Sequence, residues 1–377
     1  MSKLTYYLTS TNESKVGALK QLLSRGASVT LMKTNSAESN RPNQPIGLNS
    51  GFSCAMARVD ELLSSNPHLK SDPNAVIVSV ESTLVPGWDN GTCEPGDFMV
   101  KDVPCVAIHA PRYHLWFKGK GDGMEFPLKY WELLRAEVSM GDELEDSPGV
   151  AVTGGSIIAK CHPTIPHNDW QSHFGRHSRQ TQIYSGITDA MDELFLFQHK
   201  ITMLRQSVRY FDDFPKPGVR FQDINSLLET ETHRAMLCDA MHIVAQSLDQ
   251  TAKITHIAGL DARGFILGGF LAERMKLPFI PLRKKGKLPG PVWSRDYGKE
   301  YGKDVLELQK GAFAPAATEP NVLIVDDILA TGGTLNAALS LVKQAAVNVA
   351  GMLVISEVAE LHDQVSLPDD VPLVVLL

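Results

Sequence analysis

The chain is 377 residues long, 43% apolar and 21% charged, with a formal net charge of −7. That length exceeds what one core serves and predicts two domains of a globular protein, and the acidic balance argues against a nucleic-acid partner. Five cysteines without a Cys-x-x-Cys pair exclude a disulfide framework or a zinc ribbon. No run reaches signal-peptide or membrane-spanning length, so no membrane contact is expected and a reducing, cytoplasmic compartment is the expected setting.

Leu4 to Leu8 reads as a strand, Thr9 to Lys15 as a turn, and Val16 to Leu23 as a helix with Leu19, Leu22 and Leu23 on one face. A strand, a polar turn and a helix make a shape that suits a phosphate. A helix over Ala55 to Leu63 follows, then a strand from Ala75 to Val80 ending in Glu81, and later Val150 to Val152 as strand with Thr153-Gly154-Gly155 as turn. Gly119 to Gly123 is rich in glycine and reads as a flexible surface loop. His173 and His177, four apart, predict a shared helix face; no third ligand of fixed spacing accompanies them, so a solvated face is expected rather than zinc.

This order resembles the inosine/xanthosine triphosphatase fold over roughly Leu4 to Ile187. The resemblance implies Asn12 and Lys15 as a phosphate-handling pair and Glu81 as a metal-binding or catalytic acid. The chain departs from the active pattern, with Ser82 and Thr83 where a glycine pair stands and Asn74 and Ala75 where an upstream acid stands. Val78 to Glu81, and the stretch from Asp169 through Trp170, Phe174, Arg176, Arg179, Gln180 and Ile183 to Ser185, are closer still to the C-terminal domain of proline-rich coiled-coil-containing proteins. That likeness implies a degenerate triphosphatase-like domain over residues 1–191 with a regulatory or scaffolding role. Hydrolysis of ITP or XTP is the alternative.

Ile187 to Tyr210 is helical in pattern and carries the boundary to a second domain, residues 192–377. Phe211 to Ile224 contains two prolines and Gly218 in an extended turn, with Val219 and Phe221 alternating behind it; rigid apolar residues with free backbone suit a flat base. Ile254 to Leu260 is a strand ending in Asp261-Ala262-Arg263-Gly264, then a helix from Ile266 to Met275. That turn can present Arg263 and backbone N–H groups to a diphosphate, unless Asp261 serves as a helix cap. Phe279 to Leu282 leads into the basic run Arg283-Lys284-Lys285-Gly286-Lys287. Trp293 to Lys303 then reads as a mobile lid, and Val305 to Leu308 as a strand returning from it.

Val322 to Val325 is a short apolar run that suits a strand buried on both faces. Asp326 and Asp327 follow, then Ala330-Thr331-Gly332-Gly333-Thr334 and a helix from Leu335 to Gln344. The loop is not the nucleoside-triphosphate P-loop, because Gly333 is followed by Thr334 rather than lysine. Glycines and a helix N-terminus suit a phosphate, and paired carboxylates suit the vicinal hydroxyls of a sugar. Strands over Asn348 to Glu357 and Val371 to Leu377 complete the chain.

From about Leu204 onward these motifs, in this order, resemble the adenine phosphoribosyltransferases of type I. The resemblance implies two α/β domains, an N-terminal mixed sheet and a C-terminal parallel sheet with a small hood. It implies that adenine and 5-phosphoribosyl 1-diphosphate yield AMP and diphosphate, with Mg²⁺, in a homo-oligomer formed through the transferase domain. Asp326 and Asp327 would hold the ribose diol and, through the donor, the Mg²⁺. Ala330, Thr331, Gly332, Gly333 and Thr334 would hold the 5′-phosphate. Asp261, Ala262, Arg263, Arg283, Lys284 and Lys287 would hold the diphosphate. Glu300 and Tyr301 would sit on the lid, Glu300 as acid or base, and Val219, Arg220 and Phe221 in the hood would meet the base. Asp261–Ala262 is a candidate for a non-proline cis peptide bond.

Overall fold

The computed structural model describes all residues except 1–3, 24–27, 32–43, 89–97, 137–151, 176, 215–216, 219, 300–301, 314–318, 359–360, 362–364 and 369. The chain divides into two compact units, Met1–Arg112 with Trp116–Phe195, and Tyr113–Leu115 with Leu196–Leu377.

The first unit is built on strands β1 (Thr5–Leu8), β2 (Ser28–Leu31), β3 (Ala75–Trp88), β4 (Phe98–Ala110), β5 (Leu115–Lys120) and β6 (Met124–Glu125), in the order β2-β1-β3-β4-β5 with β6 paired to β4. β1 runs parallel to β2 and β3, and β3 antiparallel to β4, so the sheet is mixed. Helices α1 (Glu13–Leu22), α2 (Leu48–Ser65), α3 (His68–Ser71), α4 (Leu128–Ala136), α5 (Gly154–Cys161), α6 (Gln171–Phe174) and the part of the long α7 (Arg179–Ser207) up to Phe195 complete it. α1 starts three residues before the apolar pattern does, because Asn12 Oδ1 accepts from the amides of Ser14 and Lys15 at 3.1 and 3.3 Å.

Four local expectations are corrected here. β3 does not end at Glu81: it continues to Trp88, paired residue for residue with β4, and Glu81 lies opposite Cys105 inside the ladder. Gly154 and Gly155 open α5 rather than a turn, with Thr153 Oγ1 accepting from the Ser156 amide at 3.2 Å; Val150 and Ala151 lie outside the described residues. His173 sits in the single turn of α6 while His177 precedes α7, so they share no helix. Gly119 to Gly121 is not a loose loop. Gly119, within β5, lies against α7, where an added Cβ would stand 2.2 Å from the Gly186 carbonyl oxygen and 2.6 Å from the Ala190 amide nitrogen. Glycine here permits close strand–helix contact, which composition alone does not separate from flexibility.

The second unit carries a two-stranded hood of β7 (Arg209–Phe211) and β8 (Phe221–Asp223), then α8 (Glu231–Ala252), β9 (His256–Leu260), α9 (Arg263–Met275), β10 (Phe279–Lys284), β11 (Val292–Lys299), β12 (Gly302–Gln309), β13 (Asn321–Leu329), α10 (Gly333–Gln344), β14 (Asn348–Glu357) and β15 (Leu373–Val375). The sheet order is β11-β12-β10-β9-β13-β14-β15. Its core from β10 to β15 is parallel, and β11 and β12 add an antiparallel hairpin at one edge. Val322, Leu323, Ile324 and Val325 are fully buried, as a strand covered on both faces requires. Leu335, Leu339 and Val342 on α10 are buried in the same unit.

Replacing Gly119 by alanine is predicted to destabilise the first unit by ~2 kcal/mol or more, since backbone rather than a movable side chain fills the space. Urea unfolding checks this, and an unchanged midpoint would contradict it.

Candidate functional site

In the second unit the parallel strands deliver their chemistry at their C-terminal ends, where open α/β sheets bind ligands. β9 ends at Leu260, and the Asp261–Ala262 peptide bond that follows is cis. Asp261 does not cap α9; the cap position is Ala262, which makes no side-chain capping bond. Instead its carboxylate faces the basic turn after β10, with Lys287 Nζ at 3.5 Å and Arg283 Nε at 3.7 Å. Lys284, next along β10, is exposed and falls on the opposite face by strand alternation.

β13 runs past the acid pair to Leu329, so Asp326 and Asp327 lie within the strand rather than just beyond it. They are 8% and 6% exposed, low values for carboxylates. Asp326 Oδ1 accepts from the Asp327 amide at 2.9 Å, and Arg263 Nη2 pairs with Asp327 Oδ2 at 2.5 Å. α9 reaches the acids because Gly264 has no side chain: a Cβ there would stand 2.7 Å from the Val325 carbonyl oxygen and 3.2 Å from Asp326 Oδ1. Ala330 to Gly332 form the loop to α10. Gly332 takes the helix-cap position at φ +80°, with no side chain capping the first turn. The amides of that turn are therefore free of a side-chain competitor for an anion.

The hood packs Phe214 edge-on to Phe221, with centroids 5.0 Å apart. Arg220 turns outward, its guanidinium 4.6 Å from the Tyr210 ring centroid and 3.6 Å from Asp212. Gln222 is tied to the end of β14, accepting from Ser356 Oγ at 2.6 Å and donating to the Glu357 carbonyl at 3.2 Å. Val219, Glu300 and Tyr301 lie outside the described residues. β11 and β12 pair up to Lys299 and Gly302, so the stretch expected as a lid is a β-hairpin.

Residues 226–369 match the phosphoribosyl transferase domain family. The chain is 43% identical over 172 residues to adenine phosphoribosyltransferase of Xanthomonas oryzae pv. oryzae (strain PXO99A), spanning 46% of this chain and 89% of that relative. The chain belongs to the adenine phosphoribosyltransferase family. The counterpart from Synechococcus sp. (strain JA-3-3Ab) is 41% identical over 169 residues, 45% of this chain and 93% of the relative. A crystal structure of adenine phosphoribosyltransferase from Saccharomyces cerevisiae, 33% identical, covers 48% of this chain and 99% of its own, with a TM-score of 0.44.

Within this adenine phosphoribosyltransferase-family chain, the first unit gathers its own charged cluster. Lys15 Nζ donates to the Val80 carbonyl, and Arg58 of α2 pairs with the Glu81 carboxylate. Burial pushes Lys15 down to about 8, with Glu81 pulling the other way and Arg179 and Arg58 adding to the depression. Arg179 donates to Ser82 Oγ at 3.3 Å and to the Asn168 carbonyl at 3.1 Å. Buried Asp102 accepts from Gln171 at 2.7 Å, and burial raises its carboxyl above the usual range. The structure thus brings Lys15 and Glu81 together, but Asn12 spends its side-chain oxygen on the helix cap. Arg58, Asp102, Gln171, Glu307 and the role of Gln222 escaped the sequence; a lone acid inside the apolar run around Glu307 was the one available signal.

Among the described residues no group of three or more His, Cys, Asp or Glu side chains is placed to hold a metal ion. In the second unit the electrostatic strain falls on Asp326. Burial, then the adjoining Asp327, hold its carboxyl well above the usual carboxylate range, while the Asp327 amide and Arg263 pull it down. The folded-state value lies above the unfolded one, so the stability this group contributes is complete in acid and is lost as pH rises through the raised value. Asp326→Asn stays neutral and is predicted to exceed the wild type at pH 8 by ~1–2 kcal/mol, an advantage that fades as the pH approaches the ordinary carboxylate range. Urea midpoints across that range check the sign; a variant less stable at pH 8 would contradict it.

Proposed function

We propose that the chain transfers the 5-phosphoribosyl group of 5-phosphoribosyl 1-diphosphate to adenine, giving AMP and diphosphate. One observation carries this: a buried acid pair near the end of the β13 ladder precedes, by two residues, an uncapped glycine loop and helix, in a family whose members bear that activity in their names. In this reading Asp326 and Asp327 accept from the 2′- and 3′-hydroxyls of the sugar. Thr331, Gly332, Gly333 and Thr334 offer amides and hydroxyls to the 5′-phosphate. Arg263, Arg283 and Lys287 face the diphosphate and take up the charge that develops as the C1–O bond lengthens, a preorganised contribution of ~3–4 kcal/mol per key donor. The sugar carbon then has oxocarbenium character, and the base nitrogen adds to it. Phe214 and Phe221 supply the apolar wall for a flat base, with backbone groups reading its edge. Glu300 and Tyr301 are proposed to act from the lid, Glu300 exchanging a proton with the purine.

The acid pair offers hard oxygen donors that suit Mg²⁺ but too few to hold it alone. Asp326 and Asp327 would therefore hold the ion through the sugar diol of the donor, and when bound it would neutralise the leaving diphosphate. A homo-oligomer through this unit and a cytoplasmic setting belong to the same proposal; Ile266 and Phe270, four apart on α9 and 45% and 37% exposed, offer apolar area for such contact. No helix among the described residues is long and apolar enough to cross a membrane.

For residues 1–191 we infer an inosine/xanthosine triphosphatase-like scaffold with a regulatory or binding role. The ion pairing of Glu81 with Arg58 favours this over hydrolysis, because an acid already neutralised by an arginine is a poor metal ligand. Incubating the intact chain with 5-phosphoribosyl 1-diphosphate, Mg²⁺ and each purine base should yield AMP from adenine at least ~100-fold faster than IMP or GMP from hypoxanthine or guanine. Equal use of the three bases, or no nucleotide at all, would overturn the assignment. In the same preparation ITP and XTP should release no phosphate or diphosphate; release with Mg²⁺ would overturn the scaffold reading.

A further inference from the structure

Glu307 lies in β12, between β10 and β11, and is 5% exposed. Its neighbours Leu306 and Leu308 point into the apolar core, so the carboxylate falls on the other face of the sheet. It stands in register with Arg283 of β10 and Ser294 of β11. Directly opposed residues of an antiparallel pair share a face, so these three side chains rise together. A carboxylate this buried requires partners. Glu307 Oε2 accepts from the Gly286 amide at 2.9 Å, and Oε1 accepts from Ser294 Oγ at 3.4 Å.

Gly286 is the centre of the basic turn, at φ +78°. The turn is closed by further bonds: the Lys285 amide donates to the Val305 carbonyl at 3.1 Å, and Arg283 Nη1 to the Lys287 carbonyl at 3.2 Å. Its two cations reach Asp261 beside the cis peptide. Glu307 therefore grips the backbone of the turn that presents Arg283 and Lys287, and with its other oxygen touches the outer strand of the lid hairpin.

We propose that Glu307 is a positioning residue for the diphosphate end of the donor, fixing the basic turn from beneath and linking it to the lid hairpin. It touches no reacting atom and acts through Arg283 and Lys287. The proposal rests on the transferase reading, which wild-type AMP formation tests separately; the inference is tested by how the variants divide between donor and base. In the intact protein, Glu307→Ala should raise the KM for 5-phosphoribosyl 1-diphosphate and the dissociation constant for inorganic diphosphate about tenfold each, the scale of one lost charge-assisted bond. The KM for adenine and the affinity for AMP should stay within about twofold, because the hood and the glycine loop do not depend on this contact. Glu307→Gln keeps an acceptor for the Gly286 amide and should recover to within about threefold of wild type. Glu307→Asp falls one methylene short and should behave like alanine; it is the readout if Glu307→Ala does not fold. Donor KM and diphosphate affinity unchanged in a folded variant, adenine KM rising in parallel, or glutamine as impaired as alanine would each overturn the proposal.

Discussion

Two carboxylates side by side in a buried strand end repel each other, and neither is surrounded by water. The second unit keeps them there with one arginine on Asp327 and one backbone amide on Asp326. That is less compensation than two buried charges require, and the excess appears as the raised carboxyl of Asp326. In the proposed reading, a polyhydroxyl sugar bound with its cation would supply the missing partners on arrival. The same feature weakens the ligand-free fold, a common trade between stability and function.

The scaffold explains why the pair can be placed so accurately. β13 is central in a parallel sheet, with β9 on one side and β14 on the other. Its ladder continues through Asp326 and on to Leu329, whose carbonyl accepts from the Val358 amide at 2.8 Å. The acids are thus held by backbone pairing, and the strand's register shift against β14 falls well before them, between Val322 and Leu323. Around them, groups from the ends of β9, β10 and β14 are fixed by ties of different kinds: the Asp261 carboxylate to two cations, Glu307 to the Gly286 amide, and Gln222 to Ser356 and Glu357. Arg220 lies over the Tyr210 ring of the hood's own strand β7 and pairs with Asp212.

The legible parts of the sequence were those whose physics is local. Val322 to Gln344 announces itself, because a continuous apolar run, two acids, two glycines and an amphipathic helix follow one another without interruption. The turn at Asp261 to Gly264 was legible through its likeness to a family, and its cis bond is present. What stayed hidden depends on partners distant in the chain. Glu307 finds its partner amide 21 residues away, Gln222 meets Ser356 134 residues away, and Arg58 of one helix neutralises Glu81 of a strand. Glu81 to Thr83 looked like a strand end because the residues are polar. They continue the strand because Gln44 donates to the Ser82 carbonyl, Arg179 to the Ser82 hydroxyl, and the Thr83 hydroxyl to the carbonyls of Pro45 and Gly47. Gly119 misled in the opposite sense, since the residue that loosens a loop is also the residue that lets a helix approach a strand.

The central claim is that the acid pair of β13 grips the sugar of an activated phosphoribosyl donor. Calorimetric titration of 5-phosphoribosyl 1-diphosphate with Mg²⁺ into the intact wild type, and into the folded double variant Asp326→Asn/Asp327→Asn, measures that grip without relying on turnover. Saturable binding by the wild type, and affinity lower by ~100-fold or more in the variant as two charge-assisted contacts are lost, is the predicted result. Equal affinity in both proteins would contradict it.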